Sequence, residues 1–294
     1  MIKAVGYYLT VPFLYLISIL PWSYIYILSN GLAFLLHKVF KYRIKIIEMN
    51  LRNSFPQKSD REIATIIENY YLFVCDVFLE TLKIPSLTKS NFENRIKFAN
   101  PEVIYELDKQ NRSYFFVLGH FGNWEWAGIP FFSHSKIPLY SVYKPLENKY
   151  FDNWLIRLRS KFGAKLIPNQ QVARHLTEHK NIPTATALVA DQSAFAHHSH
   201  WLTFLNQDTA VFKGPDKLAR KFDCAIIYSA VKQIKRGYYE VHFELITQNP
   251  KDEPENSILE RIMSNLERDI SEYQATWLWS HNRWKTKKHD LANF

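Results

Sequence analysis

Cysteine is scarce in this chain of 294 residues, which contains two, Cys75 and Cys224. Both lie in apolar stretches, where a thiol is normally buried and unreactive. Two such residues exclude a disulfide framework and are typical of a reducing compartment. Internal repeats and low-complexity tracts are also missing. With 47% hydrophobic residues, the chain can bury a sizeable core as one domain with an appendage.

Charge is missing from the N-terminal region, since no charged residue occurs between Lys3 and Lys38. Its two apolar segments, 9–20 and 24–40, are separated at Pro21, and about 20 apolar residues are needed to cross a bilayer. A broken or re-entrant anchor therefore fits as well as a single span, and a buried core hairpin is the alternative. No small-residue cleavage site follows, so a cleaved signal peptide is not expected.

A group of basic residues follows the apolar region directly. Positive charge beside an apolar segment favours the cytoplasmic, anionic face of a membrane. We therefore predict a hydrophobic N-terminal membrane anchor over residues 1–45 and a globular domain over 46–294. The basic residues are Lys38, Lys41, Arg43, Lys45 and Arg52.

The net charge of +9 is compatible with nucleic acid, an anionic membrane or an acidic protein as partner. Recognisable nucleic-acid modules are missing, and the aromatic residues lie in apolar runs rather than between basic ones. Binding to nucleic acid is therefore not expected, whereas a membrane and an acidic protein remain.

Apolar periodicity predicts alternating strands and helices. A capping box formed by Ser59 and Glu62 opens a helix to about Leu82, and a helical stretch leads from Asn91 to Pro101. Such alternation predicts an α/β fold with a mixed, largely parallel sheet flanked by helices. The later strands are predicted at 113–118, 137–142, 165–167, 184–190, 225–231 and 238–246, and the later helices at 123–133, 148–161, 170–180, 213–222 and 255–274.

The most informative stretch is Leu118–Trp126, which places a histidine and a carboxylate beside glycines at the end of a strand. Ligands of open α/β sheets collect at such strand ends. Asn123 is a candidate N-cap, with Glu125 in the first helical turn. On one regular helix His120 and Glu125 would lie about 140° apart, but a bend at Gly122 can bring them together. The carboxylate would then orient the imidazole as a general base.

The spacing alone is weak evidence, because 11 histidines and 28 acidic residues give about one such pair by chance. The surrounding string Gly-His-Phe-Gly-Asn-Trp-Glu-Trp, residues 119–126, resembles the signature of the bacterial lipid A late acyltransferases, the lauroyl/myristoyl family. That family lies within the glycerolipid acyltransferases that carry a His-x4-Asp/Glu motif.

Other segments match the family in the same order. In Val142-Tyr143-Lys144-Pro145, Lys144 replaces the family's Arg, which keeps the charge but loses the bidentate fork. The remaining matches are Arg159 with Gly163, the segment Ala190-Asp191-Gln192, Phe204 with the segment 213–220, and the segment 277–285 that begins Trp-Leu-Trp-Ser-His.

The resemblance implies an acyltransferase that moves a fatty acyl chain from an acyl carrier protein thioester to a hydroxyl of a lipid A precursor. His120 would be the general base and Glu125 would stabilise its imidazolium. Backbone N–H groups from Gly122 to Trp124, or the guanidinium of Arg159, would bind the oxyanion. No cofactor or metal is expected. Substrate contacts are expected at Asn123, Lys144, Arg159 and Asp191, although Asp191 could equally anchor a loop.

The expected partners are acyl carrier protein, which is strongly acidic, the lipid A precursor and the inner membrane, with the catalytic domain over 46–294 on its cytoplasmic face. Arg157, Arg159, Lys161 and Lys165 lie along one segment that could contact phosphates. The segment 277–285 is expected to pack structurally, with Arg283 as a candidate phosphate contact.

Three alternatives remain open. The acceptor could be another glycolipid or a lysophospholipid, since the fold and the dyad do not fix it. The protein could instead be a non-catalytic, membrane-attached lipid-binding protein. A metal-dependent hydrolase is suggested by the clustered His197, His198 and His200, although their spacing is not that of a metal site.

Overall fold

The computed structural model describes residues 2–194 and 199–288. The strands are β1 (Ile96–Phe98), β2 (Tyr114–Leu118), β3 (Leu139–Tyr143), β4 (Lys165–Pro168), β5 (Ala185–Val189), β6 (Ser199–Phe204), β7 (Gln207–Phe212), β8 (Ala225–Lys235) and β9 (Tyr238–Thr247). The helices are α1 (Ile2–Ile19), α2 (Trp22–Phe34), α3 (Ile44–Ser54), α4 (Asp60–Lys83), α5 (Lys89–Glu93), α6 (Glu102–Lys109), α7 (Phe131–His134), α8 (Lys149–Ser160), α9 (Val172–Glu178), α10 (Gly214–Phe222) and α11 (Ser257–Glu272).

A seven-stranded sheet forms the centre of the fold, in the order β1-β9-β8-β2-β5-β3-β4. Strands β8, β2, β5, β3 and β4 run parallel to one another. Strand β9 is antiparallel to β8, and β1 is parallel to β9. All five residues of β2 are buried, because helices cover both faces of the sheet. The predicted α/β fold with a mixed, largely parallel sheet is confirmed.

Helix α4 shows how the local sequence determines an element. The side chain of Ser59 accepts from the backbone of Glu62 while the side chain of Glu62 accepts from the backbone of Ser59, which completes the predicted capping box. The apolar side of the helix is buried as its periodicity predicts. Its buried residues include Ile63, Ile66, Ile67, Tyr70 and Tyr71.

The apolar N-terminal region folds as two helices, α1 and α2, which are separated at Pro21. Within the described residues, the search for helices long and apolar enough to cross a membrane finds none. The predicted membrane anchor is therefore not supported as a span. Ile25 of α2 is buried against α4, whereas many apolar side chains of the two helices remain exposed, among them Leu9, Phe13, Leu16, Ile19, Ile27 and Phe34.

The structure corrects the predicted helix at 123–133. Residues 124–130 form turns, and only Phe131–His134 is helical. Gly122 has a φ of +60°, which turns the chain just before the expected helix start. The backbone N–H groups of Trp126 and Ala127 then donate to the carbonyls of Asn123 and Trp124, three residues earlier, instead of forming α-helical hydrogen bonds to the residue four positions earlier.

Two further elements differ from the prediction. The stretch between Asn91 and Pro101 contains β1 rather than a continuous helix. The sequence analysis did not predict the antiparallel hairpin of β6 and β7. Its turn is formed by Leu205 and Asn206, which both have positive φ. Leucine is unusual at such a position, so the Asn-Gly type of hairpin signal is missing.

Replacing Gly122 by alanine should strongly destabilise the protein. A Cβ atom there would lie 1.7 Å from the carbonyl oxygen of Val231, on a backbone with positive φ. We expect Gly122→Ala to lower the free energy of unfolding by about 3 kcal/mol, measured by urea denaturation. Gly6→Ala is the matched control, because a Cβ at Gly6 in α1 meets no atom within 4 Å. A Gly122→Ala variant as stable as Gly6→Ala would contradict this account.

Candidate active site

His120 and Asp191 lie side by side at the carboxyl edge of the sheet. Strands β2 and β5 are parallel neighbours, and their register pairs Leu118 with Val189. His120 and Asp191 each lie two positions beyond that pair, so the register itself brings them together. Nδ1 of His120 lies 2.6 Å from Oδ1 of Asp191, and the backbone N–H of His120 donates to Oδ2 at 2.8 Å.

Asp191 is an almost fully buried anion, with 3% of its surface exposed. Burial alone would raise its pKa, but the charge of His120 and the hydrogen bonds of His120 and Trp277 lower it to about 2. Trp277 donates from Nε1 to Oδ2 at 2.7 Å. An ionised carboxylate can only accept hydrogen bonds, so Nδ1 of His120 carries a proton.

The imidazole of His120 is correspondingly set up to take up a second proton. Burial would lower its pKa, but the charge of Asp191 and the hydrogen bond to it outweigh burial and raise the pKa above its usual value. In the neutral ring, Nε2 is then the atom with the free electron pair. A polar atom close to this Nε2 is Nε2 of Gln192 at 3.4 Å. His120 also lines a cavity, which is described below.

Glu125 does not hold a nitrogen of the His120 ring, which corrects the prediction from local spacing. Its carboxylate instead forms a bidentate pair with Arg159 of α8, with Nε and Nη2 donating at 2.8 and 2.5 Å. The reason is the missing helix: the turns at 124–130 direct Glu125 toward α8 rather than back to His120. The pair still affects His120, since Glu125 raises the pKa of the imidazole and Arg159 lowers it.

Two other predicted site residues face away from the cavity. Asn123 is fully buried, and its amide donates to Oε2 of Glu80 at 2.7 Å while its Oδ1 accepts from the backbone of Trp126. The backbone N–H of Gly122 already donates to the carbonyl of Thr276 at 2.9 Å. Asn123 is thus a support of the loop, and the Gly122 N–H is not available as an oxyanion donor.

Glu80 was missed in the sequence because it lies in the apolar periodicity of α4. It is fully buried, and Oε2 also accepts from Tyr239 at 2.7 Å while Oε1 accepts from Tyr26 at 3.0 Å. Burial raises its pKa to about 7, against the effect of these hydrogen bonds. A carboxylate amid apolar helix positions is itself the signal, since buried acids need partners.

A cavity of about 870 Å³ opens beside His120. Its polar residues include Glu125, Arg159 and Lys144, of which Lys144 is exposed. The interior is lined mainly by apolar side chains from the sheet and from the segment 127–132. Among them are Phe98, Phe116, Leu118, Phe131, Leu139 and Phe243.

The segment 277–285 contacts His120 and Asp191. The backbone N–H of Leu278 donates to the carbonyl of His120 at 3.1 Å, and Trp277 packs edge-to-face against Trp284. Arg283 is buried and donates to the carbonyl of Ala210 at 2.8 Å. Its expected phosphate contact is therefore wrong, and the segment is structural as predicted.

Within residues 2–194 and 199–288, no group of three or more His, Cys, Asp or Glu side chains is arranged to hold a metal ion. His200 pairs with Glu260, with Nε2 and Oε1 separated by 3.1 Å. His197 and His198 lie outside the described residues.

A histidine–carboxylate pair beside a cavity lined mainly by apolar side chains is an arrangement typical of a binding site for an apolar ligand. A family model described as bacterial lipid A biosynthesis acyltransferase matches residues 1–286. The chain therefore belongs to this family of acyltransferases, as its motifs predicted.

Two relatives match along most of the chain. A lipid A biosynthesis acyltransferase of Haemophilus influenzae is 23% identical over 291 residues, which cover 96% of this chain and 88% of the relative. A lipid A biosynthesis lauroyltransferase of Escherichia coli is 24% identical over 301 residues, covering 97% and 93%.

Replacing Asp191 by asparagine should lower the pKa of His120. The variant loses the negative charge that raises this pKa, whereas the burial that lowers it remains. The ring should then titrate below its usual value, measured by NMR of its carbon-bound protons. Asp152→Asn is the control, because Asp152 is not among the causes of the His120 shift. Unchanged titration in Asp191→Asn would contradict the assigned electrostatics.

Proposed function

We propose that this protein transfers a fatty acyl chain from an acyl carrier protein thioester to a hydroxyl group of a lipid A precursor, with His120 as the general base. The observation that carries the proposal is the ring of His120, which lines an apolar cavity while its Nδ1 is held by a buried carboxylate. Family membership supports the reaction and the acceptor.

The geometry supports a direct transfer. Nε2 of His120 takes the proton of the acceptor hydroxyl as its oxygen attacks the thioester carbonyl carbon. The imidazolium that forms is stabilised by Asp191, which replaces Glu125 in the predicted mechanism. Collapse of the tetrahedral intermediate breaks the carbon–sulfur bond, and the imidazolium returns its proton to the leaving thiolate. No acyl-enzyme is needed.

Arg159 supplies positive charge at the cavity rim. Of its five N–H donors, Glu125 engages two, so donors remain for the oxyanion or for a phosphate of a substrate. Burial would lower the pKa of Arg159, but the bonds to Glu125 outweigh it and keep the group charged. Lys144 adds a second, exposed cation beside the same cavity.

An acidic carrier protein fits the surface around this rim. The net charge is +9, and four exposed basic residues lie on or next to the neighbouring elements β3, α8 and β4. Complementary charge of this kind accelerates encounter with an acidic partner. The four are Lys144, Lys149, Arg157 and Lys165.

We further propose that α1 and α2 lie on the cytoplasmic face of the inner membrane. Their exposed apolar side chains would enter the interface, and the basic residues between 38 and 45 would face anionic lipid. The start of α1 contacts α8 near the cavity rim, where Tyr7 packs against Phe151 with ring centroids 5.4 Å apart. A membrane-borne acceptor would then lie close to the rim.

His120→Ala should strongly lower the rate of transfer. Loss of a general base costs about 10²- to 10⁴-fold in rate, measured with a panel of acyl carrier protein thioesters and a tetra-acylated, Kdo-bearing lipid A precursor. Asp191→Asn should also lower kcat, because it loses the anion that stabilises the imidazolium. His242→Ala, which removes a half-exposed histidine paired with Glu240, should retain full activity.

Equal transfer by wild type and His120→Ala would overturn the role of His120. Wild-type transfer to a different glycolipid or to a lysophospholipid, with none to the lipid A precursor, would overturn the proposed acceptor. Lipid binding without transfer to any acceptor would favour a non-catalytic lipid-binding protein.

Replacing Leu9, Phe13 and Leu16 together by serine should weaken sedimentation with anionic phospholipid vesicles. These α1 side chains are each more than half exposed, so their loss removes apolar contact with lipid at little cost to the core. Ile182→Ser is the control, since Ile182 is 53% exposed on a different surface. Equal sedimentation of the triple variant and the control would exclude α1 as the contact surface.

A further inference from the structure

The cavity beside the catalytic histidine extends around the carboxyl edge of the sheet to both of its faces. Successive side chains of a strand point to opposite faces, yet four consecutive residues at the end of β5, 187–190, all line the cavity. The packing of the strand agrees with this alternation. Ala187 packs in the core around Phe116, whereas Leu188 belongs to the core around Val172 on the other face. The cavity therefore has two lobes, which meet at the ends of β2 and β5.

The inner lobe lies between the sheet and the segment 127–132 and is enclosed. Its wall contains Phe116, Phe131, Leu139 and Phe243, all of which are buried. A lobe with such a wall keeps water away from its occupant and surrounds it with apolar side chains. The inner lobe therefore fits a single hydrocarbon chain that enters by its end.

The outer lobe is an open groove between α9 and α10, on the other face of the sheet. Its wall contains Val172 and Ala173 of α9 and Leu218 of α10. Phe212 at the end of β7 also lines it and is 57% exposed. Exposed apolar side chains that border a cavity are typical of a ligand groove. Because the outer lobe is open along its side, it fits a chain that stays attached to a bulky headgroup.

Acyl transfer to a lipid brings two molecules with hydrocarbon chains to one histidine at the same time. The acceptor oxygen and the thioester carbon must lie within about 3.5 Å of each other before they react. Away from that point, the two chains need separate space. Two apolar lobes that meet beside His120 provide it.

We propose that the inner lobe binds the acyl chain of the donor and that the outer lobe, between α9 and α10, binds an acyl chain of the acceptor lipid. The inference rests on the proposed function, because it takes a thioester and a lipid as the two substrates. The position of α8 assigns the donor to the inner lobe. Leu158 of α8 packs in the core around Phe116, and α8 carries Lys149 and Arg157, two of the residues proposed to contact the carrier protein. The carrier therefore approaches on the side of the inner lobe.

Photo-crosslinking of the full-length protein locates the two chains independently of catalysis. One probe is an acyl carrier protein thioester whose acyl chain ends in a diazirine, and the other is a lipid A precursor whose acyl chains end in diazirines. Mass spectrometry should find the donor probe on inner-lobe residues such as Phe131 and Phe243, and the acceptor probe on outer-lobe residues such as Ala173 and Leu218. Labelling of one lobe by both probes, an exchange of the two lobes, or no acceptor labelling on α9 and α10 would overturn the inference.

A pair of matched substitutions tests the same assignment by kinetics. Ala173 is exposed on α9, so Ala173→Phe fills the outer lobe without entering the core. It should raise the KM for the acceptor about tenfold, which corresponds to the lost contact of about two methylene groups, and leave the KM for the donor unchanged. Ala127→Phe, in the inner lobe, should raise the KM for the donor instead. Thr177→Phe, at an exposed position of α9 away from the cavity wall, should change neither.

The two experiments together separate this inference from the proposed function. If the lipid A precursor is acylated but Ala173→Phe leaves its KM unchanged, the transferase assignment stands and the role of the outer lobe falls. If the two probes label separate lobes as expected but no acyl chain is transferred, the two lipid sites stand and the transferase assignment falls.

Discussion

The carboxylate of Asp191 is the group on which the site depends. It receives the backbone N–H and the imidazole of His120 and the indole N–H of Trp277. A buried anion is tolerated only when charge and hydrogen bonds compensate its lost hydration. The same three contacts connect the ends of β2 and β5 with the C-terminal segment. The same carboxylate therefore fixes both the orientation of the His120 imidazole and the position of Trp277.

The loop after His120 is held by neighbours on several sides. The N–H of Gly122 bonds to Thr276, the side chain of Asn123 to Glu80, and the carboxylate of Glu125 to Arg159. These three contacts leave little freedom to the backbone that carries His120. The dense motif at 119–126 is explained by these contacts with separate parts of the chain, rather than by a cluster of residues around one substrate.

Local pattern was sufficient to place His120 at the end of a strand, since Gly119 ends the apolar run and β2 ends at Leu118. It was not sufficient to pair His120 with Asp191, because that contact depends on β2 and β5 being neighbours, which no local periodicity shows. The prediction for Glu125 failed because it assumed a regular helix at 123–133. Asn123 does accept from the backbone N–H of Trp126, as an N-cap would. The chain nevertheless continues in turns rather than in a helix, and these turns let Asn123 reach Glu80 and Glu125 reach Arg159.

The N-terminal helices are coupled to the same loop through one buried acid. Tyr26 of α2 and Asn123 of the loop donate to the two oxygens of Glu80 in α4, and Ser29 of α2 donates to Asp76, one turn earlier in α4. Such polar contacts are specific in direction, unlike the apolar packing of Ile25. They fix the position of α2 relative to His120. If α1 and α2 rest on a membrane, the cavity rim is consequently held at a constant height above it, where a lipid acceptor can reach the imidazole.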